Sequence, residues 1–138
     1  MIKLKLATIC DNAFTDQNGQ LTIVQTFNQI FIAKVGIPQP RLTIAVTYQL
    51  NNELPNPKFT GNFDAKILDP SGKIIAPISV PKNGIKEGET EMNFIAYFVN
   101  LPLNYFGEYK IIVSFLDISN DLTFTVKPIP STSSHAES

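Results

Sequence analysis

The sequence predicts an all-β fold, an antiparallel Greek-key β-sandwich of about eight strands. Aromatic and β-branched residues dominate the apolar inventory, with 10 Phe and 4 Tyr among 138 residues and Ile, Val and Thr throughout. Ten Pro and seven Gly are spread along the chain, which leaves little room for long helices. Several segments alternate apolar and polar residues at spacings typical of a sandwich. A closed β-barrel is the alternative architecture.

The segment Arg41–Leu50 carries the clearest strand pattern. Leu42, Ile44 and Val46 share one face of it, with polar or small residues between them, so this face is expected to meet a core. Residues 28–39 follow neither period and are interpreted as an apolar connection. The other strands are predicted at residues 2–10 (with Ile2, Leu4, Leu6, Thr8 and Cys10 on one face), 21–27, 62–68, 73–80, 90–100, 108–116 and 122–126.

Three segments have the composition of tight turns. Asn18-Gly19 is a favoured pair for a hairpin, and Asp69-Pro70-Ser71-Gly72 suits a type I turn. Ser119-Asn120-Asp121 is expected to turn the chain before the last strand. Residues 1–127 are therefore predicted to form a single β-sandwich domain, and residues 128–138, which have little to pack, a disordered C-terminal tail.

Composition favours a cytoplasmic protein with no nucleic-acid and no membrane partner. Eleven basic residues balance twelve acidic ones, so no basic excess attracts phosphate. One cysteine, Cys10, excludes an intramolecular disulfide. Lys5 interrupts the N-terminal apolar segment, which is interpreted as a strand rather than a signal peptide, and no stretch reaches the roughly 20 apolar residues of a membrane span.

Catalytic and cofactor-binding residue patterns are missing from the sequence. The single histidine, His135, falls in the predicted tail, and Cys10 is interpreted as a buried, inert thiol. No glycine-rich phosphate loop and no set of metal ligands with zinc spacing occurs. The acidic run Glu87-Gly88-Glu89-Thr90-Glu91 is interpreted as a solvated loop rather than a cation site. We therefore expect a non-catalytic protein that needs no metal and no cofactor.

Surplus apolar residues on two strands predict an interface. Ile95, Tyr97 and Val99 are apolar although they lie on the face opposite Phe94 and Phe98. On the next strand, Ile112 and Leu116 are likewise apolar residues on the face away from the core. A sandwich needs one apolar face per sheet. The leading hypothesis is a protein partner or homo-oligomer that covers a contiguous patch of these five residues. The alternative is that residues 30–37 fold over this face.

A second hypothesis places a carbohydrate or small ligand at loops on one end of the sandwich. Tyr105 and Phe106 are adjacent aromatic residues in a predicted loop, where they could stack on a sugar ring. The chain contains no Trp, the residue most often used for such stacking.

Phe106-Gly107-Glu108-Tyr109, with the strands that follow, resembles the closing hairpin of immunoglobulin-like sandwiches. The resemblance implies that Tyr109 acts as a tyrosine corner, its hydroxyl bonded to backbone. The whole layout is also similar to a bacterial family of small single-domain sandwich proteins of unknown function. The parts that match are Asn18-Gly19-Gln20-Leu21, the connection ending Pro38-Gln39-Pro40, Arg41–Leu50, Asp69-Pro70-Ser71-Gly72 and Gly107-Glu108-Tyr109. That family implies an architecture and no activity.

Overall fold

The computed structural model describes residues 2–50 and 56–130, which form nine β-strands in two sheets. The sandwich prediction is confirmed, with one strand more than expected. The strands are β1 (Ile2–Thr15), β2 (Leu21–Thr26), β3 (Gln29–Ile32), β4 (Gln39–Leu50), β5 (Asn56–Leu68), β6 (Ile74–Ile85), β7 (Glu91–Leu101), β8 (Gly107–Phe115) and β9 (Ile118–Pro128).

The two sheets stack without sharing a strand. The four-stranded sheet has the order β2-β1-β4-β7, and the five-stranded sheet has the order β3-β9-β8-β5-β6. The chain crosses between sheets from β4 to β5, returns from β6 to β7, and crosses again to β8, which is a Greek-key connectivity. The structure is therefore a sandwich, and the closed barrel considered as an alternative does not describe it.

Aromatic rings fill the space between the sheets. Phe63 and Phe94 stack with their centroids 4.8 Å apart, and the ring of Phe115 lies 5.2 Å from that of Phe94. Val46 and Val113 are fully buried in the same core. The inward faces predicted for β4, β7 and β8 are thus confirmed, because period-two alternation holds along these strands, in β7 as far as Val99.

The face assignment for β1 is wrong beyond Leu4. A register irregularity between Leu4 and Leu6 inserts one residue into the pairing of β1 with β4. Such a bulge reverses which side chains point inward. Ile9 consequently packs in the main core, Leu6 is exposed, and Cys10 lies on the opposite face of the sheet.

A hairpin folds across the outer face of the four-stranded sheet. We call it the arm; it comprises residues 11–26, the end of β1 with β2. Beneath it Thr43 and Ala45 are fully buried although their side chains point away from the main core. The arm, rather than residues 30–37, therefore covers this face. Its carbonyl groups accept hydrogen bonds from the sheet: Asp11 from Thr43 (3.2 Å), Ala13 from Tyr97 (2.6 Å) and Gly19 from Asn93 (3.3 Å).

The irregular segment 28–39 contains a strand that the sequence pattern did not show. β3 pairs in parallel with β9, and Ile30 and Ile32 are buried. Four residues are too few to show an alternation above background, and their partner is about 95 residues distant, so no local signal marks this pairing.

The C-terminal strand is longer than predicted at both ends. Ser119-Asn120-Asp121 lies within β9, and the turn consists of Leu116 and Asp117 instead, since Phe115 pairs with Ile118. Pro128 belongs to β9 and the N–H of Ile129 donates to the carbonyl of Ile32, so the predicted tail boundary at 127 is wrong. Residues 131–138, with His135, lie outside the described residues.

The turn before β6 follows the predicted chemistry. The N–H of Gly72 donates to the carbonyl of Asp69, and Gly72 has φ +90°. One Asp69 carboxylate oxygen accepts hydrogen bonds from the hydroxyl and N–H of Ser71 and from the N–H of Lys73. The bond from the Ser71 hydroxyl contributes most to holding the pKa of Asp69 below its ordinary value. The turn at residues 16–19 has the same bonding pattern.

Candidate interaction surface

Strand β7 separates its side chains cleanly between the core and the outside. Phe94, Ala96 and Phe98 are buried between the sheets. Tyr97 and Val99 point the other way and are 46% and 68% exposed, so the outward orientation predicted for them is present. The arm covers the outward-facing side chains of β7 only in the first part of the strand, where Ile95 packs against Ala13 and Ala45.

The backbone groups of β7 also fall into two sets, one bonded to β4 and one directed away from it. Leu50 donates its N–H to the carbonyl of Thr90, and the pairing continues without a shift to Arg41 and Val99. In an antiparallel pair of this register, even-numbered residues of β7 bond to β4, and odd-numbered residues direct their N–H and C=O groups away from it. Within the described residues β4 is the one strand partner of β7. We call this unpaired side the free edge of β7.

The five-residue patch predicted from the sequence is not contiguous. Tyr97 and Val99 lie on the four-stranded sheet, whereas Ile112 belongs to β8 in the five-stranded sheet. Ile112 is partly buried in a depression that Asp64 also lines, and Leu116 is an exposed tip residue of the β8–β9 turn with φ +55°. The prediction of one contiguous patch failed because β7 and β8 were assumed to be neighbours, whereas the connection from β7 to β8 crosses between the two sheets.

The other long edge of the sandwich, β6, carries two prolines. Pro77 is opposite Lys66 and Pro81 opposite Asn62 on β5. Because proline has no N–H to donate, both occupy positions whose backbone points away from β5. Two N–H groups that would otherwise face outward along this edge are therefore missing.

The remaining edges are short or charged. β2 has six residues and β3 four. The first part of β1, which β2 does not reach, carries Lys3 and Lys5 together with the bulge. Natural sheets use these devices, and proline, to block pairing with another chain. Residues 92–99 of β7 contain no proline, glycine or charged residue.

The loop residues Tyr105 and Phe106 are 47% and 41% exposed at one end of the sandwich. The hydroxyl of Tyr109 donates to the carbonyl of Tyr105 (2.8 Å) and accepts from its N–H (3.2 Å), which is the backbone bonding expected of a tyrosine corner. The N–H of Gly36 donates to Leu103, so the neighbouring loop lies at the same end. That loop adds two exposed apolar side chains, Val35 and Ile37.

The cysteine and the acidic residues considered in the sequence analysis are buried or form ion pairs with nearby residues. Burial, and secondarily Asp11, raises the pKa of the Cys10 thiol. Glu89 pairs with Lys82 at 2.7 Å; burial alone would raise the Glu89 pKa, but its hydrogen bonds lower it. Glu91 pairs with Lys5. No three His, Cys, Asp or Glu side chains converge as a metal site in residues 2–50 and 56–130. The same ranges hold no helix long and apolar enough to span a membrane.

A protein-family model matches residues 5–126, most of the chain. The chain belongs to DUF6941, a family of unknown function. The expected likeness to a sandwich family without an assigned activity is therefore confirmed. A search of curated proteins gives no significant match.

Solved structures resemble the chain at low sequence identity. An immunoglobulin-like protein from Pseudomonas aeruginosa is 15% identical, with 92% of this chain and 97% of that chain covered and a TM-score of 0.43. A β-glucosidase from Listeria innocua is 9% identical (92% and 16% covered, TM-score 0.50), and one from Erythrobacter marinus is 10% identical (91% and 15% covered, TM-score 0.51). The chain thus spans a small part of each glucosidase, and at such identities the likeness concerns the fold alone.

Proposed function

We propose that this domain is a non-catalytic module that acts by protein association through the free edge of β7 and the side chains beside it. The observation that carries the proposal is the coincidence of two features on the same residues. Tyr97 and Val99 expose apolar side chains, and their backbone groups face outward along an unblocked strand edge.

The rest of the molecule supports this choice of surface. The arm already covers the neighbouring part of the sheet, where Ala45 is fully buried and Ile95 is partly buried. Apolar residues of the outer face are thus buried within the chain wherever the arm reaches. Val99, the most exposed large apolar side chain in the described residues, lies just beyond that cover. A partner seated there would continue the burial that the arm begins.

Charge insertion beside the free edge tests the proposal. Val99→Lys should remove association, measured both as self-association by sedimentation and as quantitative capture of partners by the tagged protein. Ile74→Lys is the matched control, because Ile74 is an exposed apolar residue (49%) on the proline-bearing strand β6. We expect the control to associate like the native chain. Equal association by all three proteins would contradict the proposal.

A second candidate function, binding of a carbohydrate or small ligand, is favoured by the exposed aromatic pair at the loop end. Tyr105 and Phe106 lie near Val35 and Ile37, so a ligand could contact four apolar side chains there. A glycan and small-molecule screen tests this candidate. Binding that Phe106→Ala abolishes and Val99→Lys leaves unchanged would support it over association through β7.

A further inference from the structure

We propose that β7 pairs antiparallel with β7 of a second copy of the chain, so that two four-stranded sheets become one eight-stranded sheet. This inference rests on the proposed function and deepens it, because it names the partner and the geometry of the contact. Strand pairing, rather than side-chain packing alone, is inferred from the backbone groups along the free edge.

The free edge offers a regular ladder of donors and acceptors. Odd-numbered residues from Glu91 to Val99 direct their N–H and C=O away from β4. The alternation ends at Asn100, which has φ +53°, and Leu101 is buried and pairs with Gln39. The outward-facing stretch gives an edge of about 30 Å. An added strand would satisfy these groups directly, and this is how sheet edges bind extended segments.

The sequence of β7 is compatible with itself in the antiparallel direction. A two-fold axis at Ala96 pairs residues 93–99 with their copy, because Asn93 then faces the partner's Val99. Ile95 lies opposite the partner's Tyr97, an aromatic and β-branched combination that favours cross-strand pairing. The one charged residue of the strand, Glu91, lies outside the paired residues, so like charges are not opposed. A two-fold contact of this kind closes on itself as a dimer.

The dimer would also cover the exposed side chains of Tyr97 and Val99. Tyr97 and Val99 of each copy would lie opposite the partner's Ile95 and Asn93 on the outer face of the joined sheet, next to the partner's arm. The free edge can accept this contact since the arm bonds to the Tyr97 hydroxyl on the outer face of the sheet, and the ladder groups point along its plane.

Amide hydrogen exchange, combined with sedimentation from micromolar to several hundred micromolar protein, tests the pairing on the native chain. We expect a dimer, and we expect the amides of Ile95, Tyr97 and Val99 to be protected in it and to lose protection on dilution. The amides of Phe94 and Ala96, which bond to β4, should stay protected at every concentration. They serve as the internal control for folding.

Val99→Pro provides the matched variant. Proline at this odd-numbered position removes an outward N–H and no bond to β4, as Pro77 and Pro81 do on β6. We expect the dissociation constant of the dimer to rise by about tenfold or more. Ser79→Pro, at an outward position of β6, should leave the dimer unchanged. If Val99→Pro does not fold, the exchange pattern of the native chain decides the question.

The outcomes separate this inference from the proposed function. A dimer whose odd-numbered β7 amides exchange freely overturns strand pairing and leaves association through side chains in place. A monomer at every concentration overturns the second copy as partner. If another protein is then captured in a Val99-dependent manner, the proposed function stands without this inference. Absence of any Val99-dependent association overturns both.

Discussion

The two long edge strands, β6 and β7, differ in how their outer edges are protected from pairing with another strand. β6 carries Pro77 and Pro81 at positions whose backbone faces outward, so two outward N–H groups are missing. β7 keeps every outward N–H and has no charge, proline or glycine in residues 92–99. An exposed edge strand without such protection is prone to pair with other chains. The contrast shows that edge protection is placed strand by strand and is not a property of the fold.

Within β7 itself, even-numbered and odd-numbered residues have different roles. The even-numbered residues from Met92 to Phe98 fill the core and bond to β4, whereas the odd-numbered residues from Glu91 to Val99 face the arm, solvent and the free edge. Because these sets alternate, a substitution in one set can leave the other largely intact. Experiments on stability and on association can therefore be designed separately.

The largest expected effect is on the inward side of β7. Phe94→Ala should lower the free energy of unfolding by about 3–5 kcal/mol, since a fully packed aromatic ring leaves a cavity when it is truncated. Phe94 is 4% exposed and stacks on Phe63. The control Val99→Ala should change stability by less than about 0.5 kcal/mol. Denaturant unfolding measures both losses of stability. A larger loss for Val99→Ala than for Phe94→Ala would show that the inward and outward faces of β7 are assigned the wrong way round.

Sequence patterning was sufficient for the regular parts of the fold. β4 and β8 alternate without interruption, and β7 does so as far as Val99, so their inward residues, including Val46 and Val113, could be assigned from period two alone. The pattern failed in β1, because a one-residue bulge between Leu4 and Leu6 has no signature in composition. It also failed for β3, whose parallel partner β9 is distant in sequence.

The candidate surface was predictable in orientation but not in extent. Period two places Tyr97 and Val99 outward, and both are exposed. Joining them to Ile112 required knowledge of which sheet each strand enters, and alternation carries no such information. The arm was equally hidden, since its contact between Ala13 and Tyr97 spans 84 residues of sequence.

The turn before β6 fixes the register that keeps its prolines outward. Gly72 has φ +90°, and no heavy atom lies within 4 Å of the point that a Cβ would occupy, so Gly72→Ala introduces backbone strain and no clash. We expect a loss of about 1–2 kcal/mol in unfolding free energy. Gly72→Asn should recover much of it, because asparagine tolerates left-handed backbone. Equal stability of Gly72→Ala and the native chain would show that the turn adopts another conformation.

The arm provides the next test, because it contacts β7 beside the free edge. The Tyr97 hydroxyl donates to the carbonyl of Ala13 at 2.6 Å, and Tyr97→Phe removes only this bond. We expect a loss of about 1 kcal/mol and faster amide exchange in the arm. Tyr105→Phe, on an exposed ring in a loop, is the control and should be neutral. Unchanged exchange in the arm would show that apolar packing alone holds it on the sheet.

The smallest expected effect on stability comes from removing the protection of β6. The double variant Pro77→Ala, Pro81→Ala restores two outward N–H groups and should lower unfolding free energy by only about 1 kcal/mol, through greater freedom of the unfolded chain. Association should change much more: we expect a second, concentration-dependent mode in sedimentation that persists when combined with Val99→Lys. Pro102→Ala, in the β7–β8 loop, controls for proline loss in general. If the double variant associates like the native chain, the prolines do not protect β6, and the contrast with β7 has another cause.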